Sequence, residues 1–141
     1  MADPKSVQRS FRFSGRTGEL LDAAAVRSSE TRNALADRLL GEALRVERHP
    51  LIRFDAGAAG RRQPRVVGTR LDVHQVVATV RANDADVDAT AKYLGIDARL
   101  VRAALDYYAE FTDEIDADAA AADRVAQAER ARWERVQHAL R

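Results

Sequence analysis

Arg12 is the residue best placed to do chemistry, and the chemistry is recognition rather than bond making. It sits in Ser10-Phe11-Arg12-Phe13-Ser14, where polar and apolar side chains alternate. A period of two marks a half-buried strand. Phe11 and Phe13 then share one face, and Gln8, Ser10, Arg12 and Ser14 share the other. That polar face carries a guanidinium flanked by hydroxyl and amide groups. A lone strand leaves amides and carbonyls unpaired along its edges. No second strand follows nearby, so the cheapest partner is the same strand of another subunit. The pair would be a two-stranded antiparallel ribbon with a buried aromatic face, wide enough to fill the major groove of B-DNA. The alternative is an edge strand of an ordinary α+β domain, with Arg12 solvated.

Two helical patterns must hold this strand in place. Gly15 to Ser28 places Leu20, Leu21, Ala24 and Ala25 on one side. Ser28-Ser29-Glu30 interrupts the pattern, and Thr31 is a good N-cap for the next helix. That helix carries Leu35, Leu39 and Ala43 on one stripe, with Ala36, Leu40 and Leu44 beside it. So short a strand–helix–helix segment cannot bury a core alone, but an intertwined dimer can.

Residues 7 to 47 resemble the ribbon-helix-helix family of DNA-binding proteins. The matching residues are Arg9-Ser10-Phe11-Arg12-Phe13, the pair Leu21 and Asp22, and Thr31-Arg32-Asn33 followed by Leu35. The resemblance implies that Ser10, Arg12 and Ser14 face DNA bases and that Thr31, Arg32 and Asn33 clamp a phosphate. It also implies a dimer core of Phe11, Phe13, Leu21, Leu35 and Leu39. Arginine is a good bidentate reader of guanine O6 and N7, and a helix N-terminus attracts anions. Gly15 and Gly18 depart from the family's helix-favouring residues and should loosen the first turn by ~1 kcal/mol each.

The chain is 141 residues long, which allows one ordinary domain or two small ones with a tail. It has no cysteine, so neither a disulfide framework nor a thiolate zinc site is expected. There is no apolar run of ~18 residues and no secretory signal, so no membrane partner and a cytoplasmic location are expected. Charge is asymmetric behind a net of +1. Residues 1–70 carry 14 Arg or Lys against 8 Asp or Glu, and residues 71–141 carry 9 against 14. A basic front half suits a polyanion. The acidic run Asp106 to Asp123 should point away from DNA, toward a basic protein, or simply into solvent.

A second module begins at His49-Pro50. Residues 51–54 and 64–67 read as short strands around Asp55 to Gln63. Asp72 and Gln75 form a capping-box pair for a helix reaching Ala82, with Val73, Val76, Val77 and Val80 inward. Val87 to Leu94, a left-handed Gly95, and a helix capped by Asp97 have the spacing of a helix-turn-helix. An ordinary helical hairpin is the alternative.

Residues 49 to 111 resemble a small bacterial winged-helix-like family, formerly of unknown function, that is common in antitoxins. The resemblance rests on His49-Pro50, on Pro64-Arg65-Val66-Val67-Gly68-Thr69-Arg70-Leu71, on Val73, and on Ala103-Ala104-Leu105 with Tyr107. The chain departs in the longer Phe54–Gln63 segment and in Asp72, where proline is usual. The second helix of the pair offers only Arg99 and Arg102, with Lys92 before it. Arg61, Arg62, Arg65 and Arg70 are the better candidates for phosphate contact.

Past Ile115 the composition shifts to Ala, Asp, Glu and Arg. Val125, Ala128, Arg132, Val136 and Ala139 form one stripe, with Trp133 and Leu140 beside it. A stripe this narrow orders poorly alone. It can fit another protein's groove with Trp133 as anchor, or pack on its own dimer mate.

Together the two resemblances imply an antitoxin of the VapB type, whose N-terminal part binds DNA and whose C-terminal part wraps a PIN-type ribonuclease toxin. An inserted guanidinium suits an acidic Mg²⁺ site. Of the candidates Arg124, Arg130, Arg132 and Arg135, the last two flank Trp133; Arg130, Arg132, Trp133 and Arg135 are the expected toxin contacts.

No enzyme is expected. His49, His74 and His138 have no ligand-spaced partner in a shared element, and Gly57 and Gly60 form no phosphate loop. No cofactor, metal or catalytic residue is expected. The expected fold is mainly α, in four parts. Residues 1–6 are a flexible start and 7–48 a ribbon-helix-helix domain. Residues 49–115 are a β-hairpin plus helix-turn-helix domain, and 116–141 a helical tail. The expected function is an antitoxin that binds a palindromic or repeated operator as a homodimer or dimer of dimers, represses its own operon and neutralises its toxin. The alternative is a stand-alone ribbon-helix-helix regulator whose second domain senses a ligand or mediates oligomerisation.

Overall fold

The computed structural model describes residues 6–57 and 60–141. The expected flexible start, residues 1–6, therefore lies outside the described residues except for Ser6. The chain divides into two compact units, Met1–Arg48 and His49–Arg141. Among the described residues it is mainly helical, with one small two-stranded antiparallel sheet. No helix among them is long and apolar enough to cross a membrane.

The first unit contains α1 (Gly15–Arg27) and α2 (Arg32–Arg48). Ser14 begins α1, its hydroxyl accepting from the Thr17 amide at 3.2 Å. Thr31 begins α2, its hydroxyl accepting from the Ala34 amide at 3.1 Å. Both caps satisfy amides that lack partners inside the helix. Between the helices, Ser28 Oγ accepts from the Glu30 amide at 3.0 Å. Arg38 then donates to both Glu30 oxygens at 3.0 and 3.1 Å and to Glu42 at 3.1 Å.

Residues 6–14 form no strand within the chain: among the described residues they join no ladder.

The second unit begins with β1 (Ile52–Ala56) and β2 (Arg62–Val66), paired antiparallel with Ile52 opposite Val66 and Ala56 opposite Arg62. The hairpin reaches further into the expected Asp55–Gln63 loop than its composition suggested. Gly68 turns the chain at φ +72°, a conformation that disfavours a side chain. Thr69 Oγ1 then donates to the Val66 carbonyl at 2.8 Å and accepts from the Leu71 amide at 3.0 Å. This is the physical content of Gly-Thr-Arg: a left-handed turn locked by a hydroxyl.

Next come α3 (Val73–Ala82), α4 (Val87–Leu94), α5 (Ala98–Glu110) and α6 (Thr112–Ala139). Gln75 Oε1 accepts from the Asp72 amide at 2.9 Å, completing the capping box. Gly95 ends α4 at φ 69°, and Asp97 caps α5 by accepting from the Arg99 amide at 2.7 Å. Asp86, which the sequence analysis passed over, caps α4 through the Ala89 amide.

The core joins Ile52 and Val66 of the hairpin to Val73, Val76, Val77 and Val80 of α3. Ala91, Val101, Ala104, Tyr107 and Ile115 complete it. Tyr107 is fully buried, its ring against His49 at 5.0 Å, Phe111 at 4.7 Å and Phe54 at 6.4 Å. Tyr108 is half-buried against this core; its hydroxyl donates to Asp116 at 2.9 Å and accepts from Arg81 at 2.6 Å.

The boundary drawn between residues 115 and 116 falls inside one helix. α6 runs continuously from Thr112, and Ile115, Asp118 and Ala121 along its first half are buried.

Candidate nucleic-acid interface and partner-binding helix

In the first unit the described residues bury one side chain, Leu35, at 2% exposure. Phe11 is 66% and Phe13 57% exposed, and Leu20, Leu39, Leu40 and Leu44 are exposed with them. Leu21 is half-buried. Phe11, Phe13, Leu20, Leu21, Leu39 and Leu40 line one groove of about 710 Å³. The structure thus gathers the expected dimer-core residues Phe11, Phe13, Leu21 and Leu39 on one open apolar surface. Leu35 alone goes inside.

Ser10 and Arg12 are also exposed, and Ser10 lines the same groove as Phe11 and Phe13. Ser14 is different. Its hydroxyl accepts from the Thr17 amide and donates to Thr17 Oγ1 at 3.1 Å, so its first duty is capping α1. At the start of α2, Thr31, Arg32 and Asn33 are all exposed and no acidic residue lies in the first turn. Arg32 reaches Asp22 of α1 at 3.3 Å. Both side chains are well solvated, so this pair is worth little and yields easily to a phosphate. The amide end of α2 is therefore electrostatically clear for an anion.

The four hairpin arginines are not equivalent. Arg65 is held on two sides, by Asp72 at 2.9 Å and Asp55 at 3.4 Å, with its side chain mostly covered. Arg61 pairs with Asp118 of α6 at 3.3 Å. Arg62 donates to the Phe54 carbonyl at 3.1 Å while remaining exposed. Arg70 is exposed. Two of the four expected phosphate contacts, Arg61 and Arg65, are thus engaged by carboxylates. Arg65 and Arg61 neutralise carboxylates that folding has buried, since an unpaired buried charge is costly.

Asp118 was expected among the solvated acids but is buried. Burial pushes its carboxyl above the ordinary carboxylate range, Arg61 and His74 pull it back, and Glu114 and Asp72 push it up again. His74 lies 3.7 Å from Asp72 with little exposure. His49 Nε2 lies 2.7 Å from Glu110 Oε2. The His49–Glu110 contact joins residues 61 positions apart, so element spacing gave no signal for it, whereas His74 and Asp72 are near neighbours at the start of α3. Among the described residues, no three His, Asp or Glu side chains converge as metal ligands.

Lys92, Arg99 and Arg102 are exposed on α4 and α5. Arg130, Arg132, Trp133 and Arg135 are exposed on the second half of α6, with Trp133 at 59%. No family model, curated protein or solved structure matches the chain.

Proposed function

We propose that the protein is the antitoxin of a toxin–antitoxin pair, a dimeric operator-binding protein that also neutralises a PIN-type ribonuclease. One observation carries this proposal: the N-terminal unit leaves Phe11, Phe13, Leu20, Leu39 and Leu40 in the open while burying only Leu35. Apolar area of that extent is costly in water and favours a second copy. Pairing the two 8–14 segments antiparallel covers the phenylalanines and turns Arg12 and Ser10 outward, at the width of a major groove. The clear amide ends of α2 then meet phosphates on either side. Two ribbon strands related by a two-fold axis call for a palindromic or repeated operator.

The toxin partner is supported by the second half of α6. Trp133, Val136 and Leu140 are exposed among Arg130, Arg132 and Arg135. An aromatic anchor between guanidiniums fits an apolar groove that ends in carboxylates. Two assays test the proposal together. The wild-type chain should retard its own upstream DNA, and it should co-purify with the product of the adjacent reading frame while silencing that product's RNA cleavage. Arg132→Ala with Arg135→Ala should restore cleavage. Failure to bind any upstream fragment at low salt would rule out the operator role.

A further inference from the structure

Every residue from Ala126 to Arg141 is exposed, although the first half of the same helix inserts Ile115, Asp118 and Ala121 into the core. A free helix of roughly 12–15 residues is marginal in water, so this half calls for a cover. The sequence of α6 says which cover fits. Ala119, Ala126, Trp133 and Leu140 recur every seven residues, with Ala122, Glu129 and Val136 beside them. A seven-residue repeat keeps one seam of a helix facing another helix.

This seam is graded in size and in charge. Its first half offers Ala119 and Ala122, both half-buried, and its second half offers Trp133, Val136 and Leu140, all exposed. Thr112–Asp123 carries five carboxylates and no cation, whereas Arg124–Arg141 carries five arginines against Glu129 and Glu134. The helix dipole favours that polarity, but its reach fades within the first and last turns. Arginines spread from 124 to 141 exceed what it accounts for.

A second copy running parallel would set alanine on alanine, acid on acid and arginine on arginine. An antiparallel copy satisfies both gradients at once. With the two-fold axis near Ala126, Trp133 of one copy lies over Ala119 and Ala122 of the other. Asp123 then stands across the seam from Arg130 of the second copy. Within one helix those two residues are seven apart, about 10 Å, too far to pair. We propose that the free protein self-associates through α6, antiparallel, at an interface separate from that of the N-terminal unit. The partner proposed above for the same stripe must displace it.

The chain has no cysteine, so single engineered thiols report the geometry cleanly. Ala126→Cys should form an interchain disulfide under mild oxidation in the full-length protein. His138→Cys should not, because antiparallel pairing holds the two copies of that position about 36 Å apart at 1.5 Å per residue. Within the Ala126→Cys background, Asp123→Arg or Arg130→Asp alone should slow cross-linking several-fold, and the double swap should restore it. All four sites are exposed, so folding is not at risk. Linking of His138→Cys as fast as Ala126→Cys, no linking at Ala126→Cys, or a double swap no better than its singles would each overturn the proposal. The protein is tested free of any other chain, so the result does not depend on the toxin partner.

Discussion

His49–Arg141 and Met1–Arg48 treat apolar residues in opposite ways. The C-terminal unit closes a hairpin, α3, α4, α5 and the start of α6 around one core centred on Tyr107. The N-terminal unit has two well-capped helices and a run of leucines and phenylalanines, yet among its described residues it inters only Leu35. Both follow the same hydrophobic rule. What differs is where the second surface comes from. One unit closes a core of its own, and we propose that the other is completed by a second copy. Folding of the closed core should therefore be unimolecular and that of the N-terminal unit concentration-dependent.

The strongest way to break this comparison is to damage the self-sufficient core. Tyr107→Ala should cost about 3–5 kcal/mol and abolish or sharply lower the unfolding transition of the C-terminal unit. A midpoint in urea within experimental error of wild type would mean that the core is not where it has been placed. Phe13→Ala should act differently. It should weaken self-association by about 1.5–3 kcal/mol, seen by sedimentation, and leave the C-terminal unit's transition in place. An equal loss in both units would erase the distinction between them.

Arg12→Ala should leave both units folded and reduce operator affinity by about 1–3 kcal/mol, with relaxed preference at one base position. A uniform loss over all sequences would recast Arg12 as a phosphate contact. Asp118 sharpens the comparison through pH. Its folded carboxyl binds a proton more tightly than the unfolded one, because burial disfavours its charge. Its contribution to stability therefore falls as pH rises from the ordinary carboxylate value through the raised folded value. Asp118→Asn should remove that dependence from the C-terminal unit, measured as urea midpoints between about pH 4 and pH 7. An unchanged pH profile would show that Arg61 compensates fully. The smallest effect is expected for Trp133→Ala, within about 0.5 kcal/mol of wild type for the dilute C-terminal unit, since the side chain is exposed.

Much of the local structure was legible because it is written locally. Thr31, Asp72 with Gln75, Gly95 and Asp97 each mark a helix end by chemistry confined to one turn. The valines of α3 announce their burial by spacing alone. Long-range pairing was not legible. Nothing near Arg61 or Arg65 in sequence reveals that Asp118 or Asp55 will meet it, and so their apparent freedom as phosphate ligands was overstated. Asp118 looked like one acid of a solvated run because its burial depends on α6 packing against α3 and α5, with Arg61 brought beside it. The boundary drawn after residue 115 falls inside α6 for a related reason. Its composition changes there, but alanine-rich sequence on both sides sustains the helix. The polar duties of Ser14 were split for a local reason: a serine just before a helix is claimed by the cap first.

The most direct test of a borrowed second surface is amide hydrogen exchange across Ser10 to Ser14, followed as a function of protein concentration. An intermolecular ribbon should protect alternate amides in this segment at high concentration and release them on dilution, while the amides of α3 and α5 stay protected throughout. Rapid exchange of Ser10–Ser14 at every concentration would contradict the account.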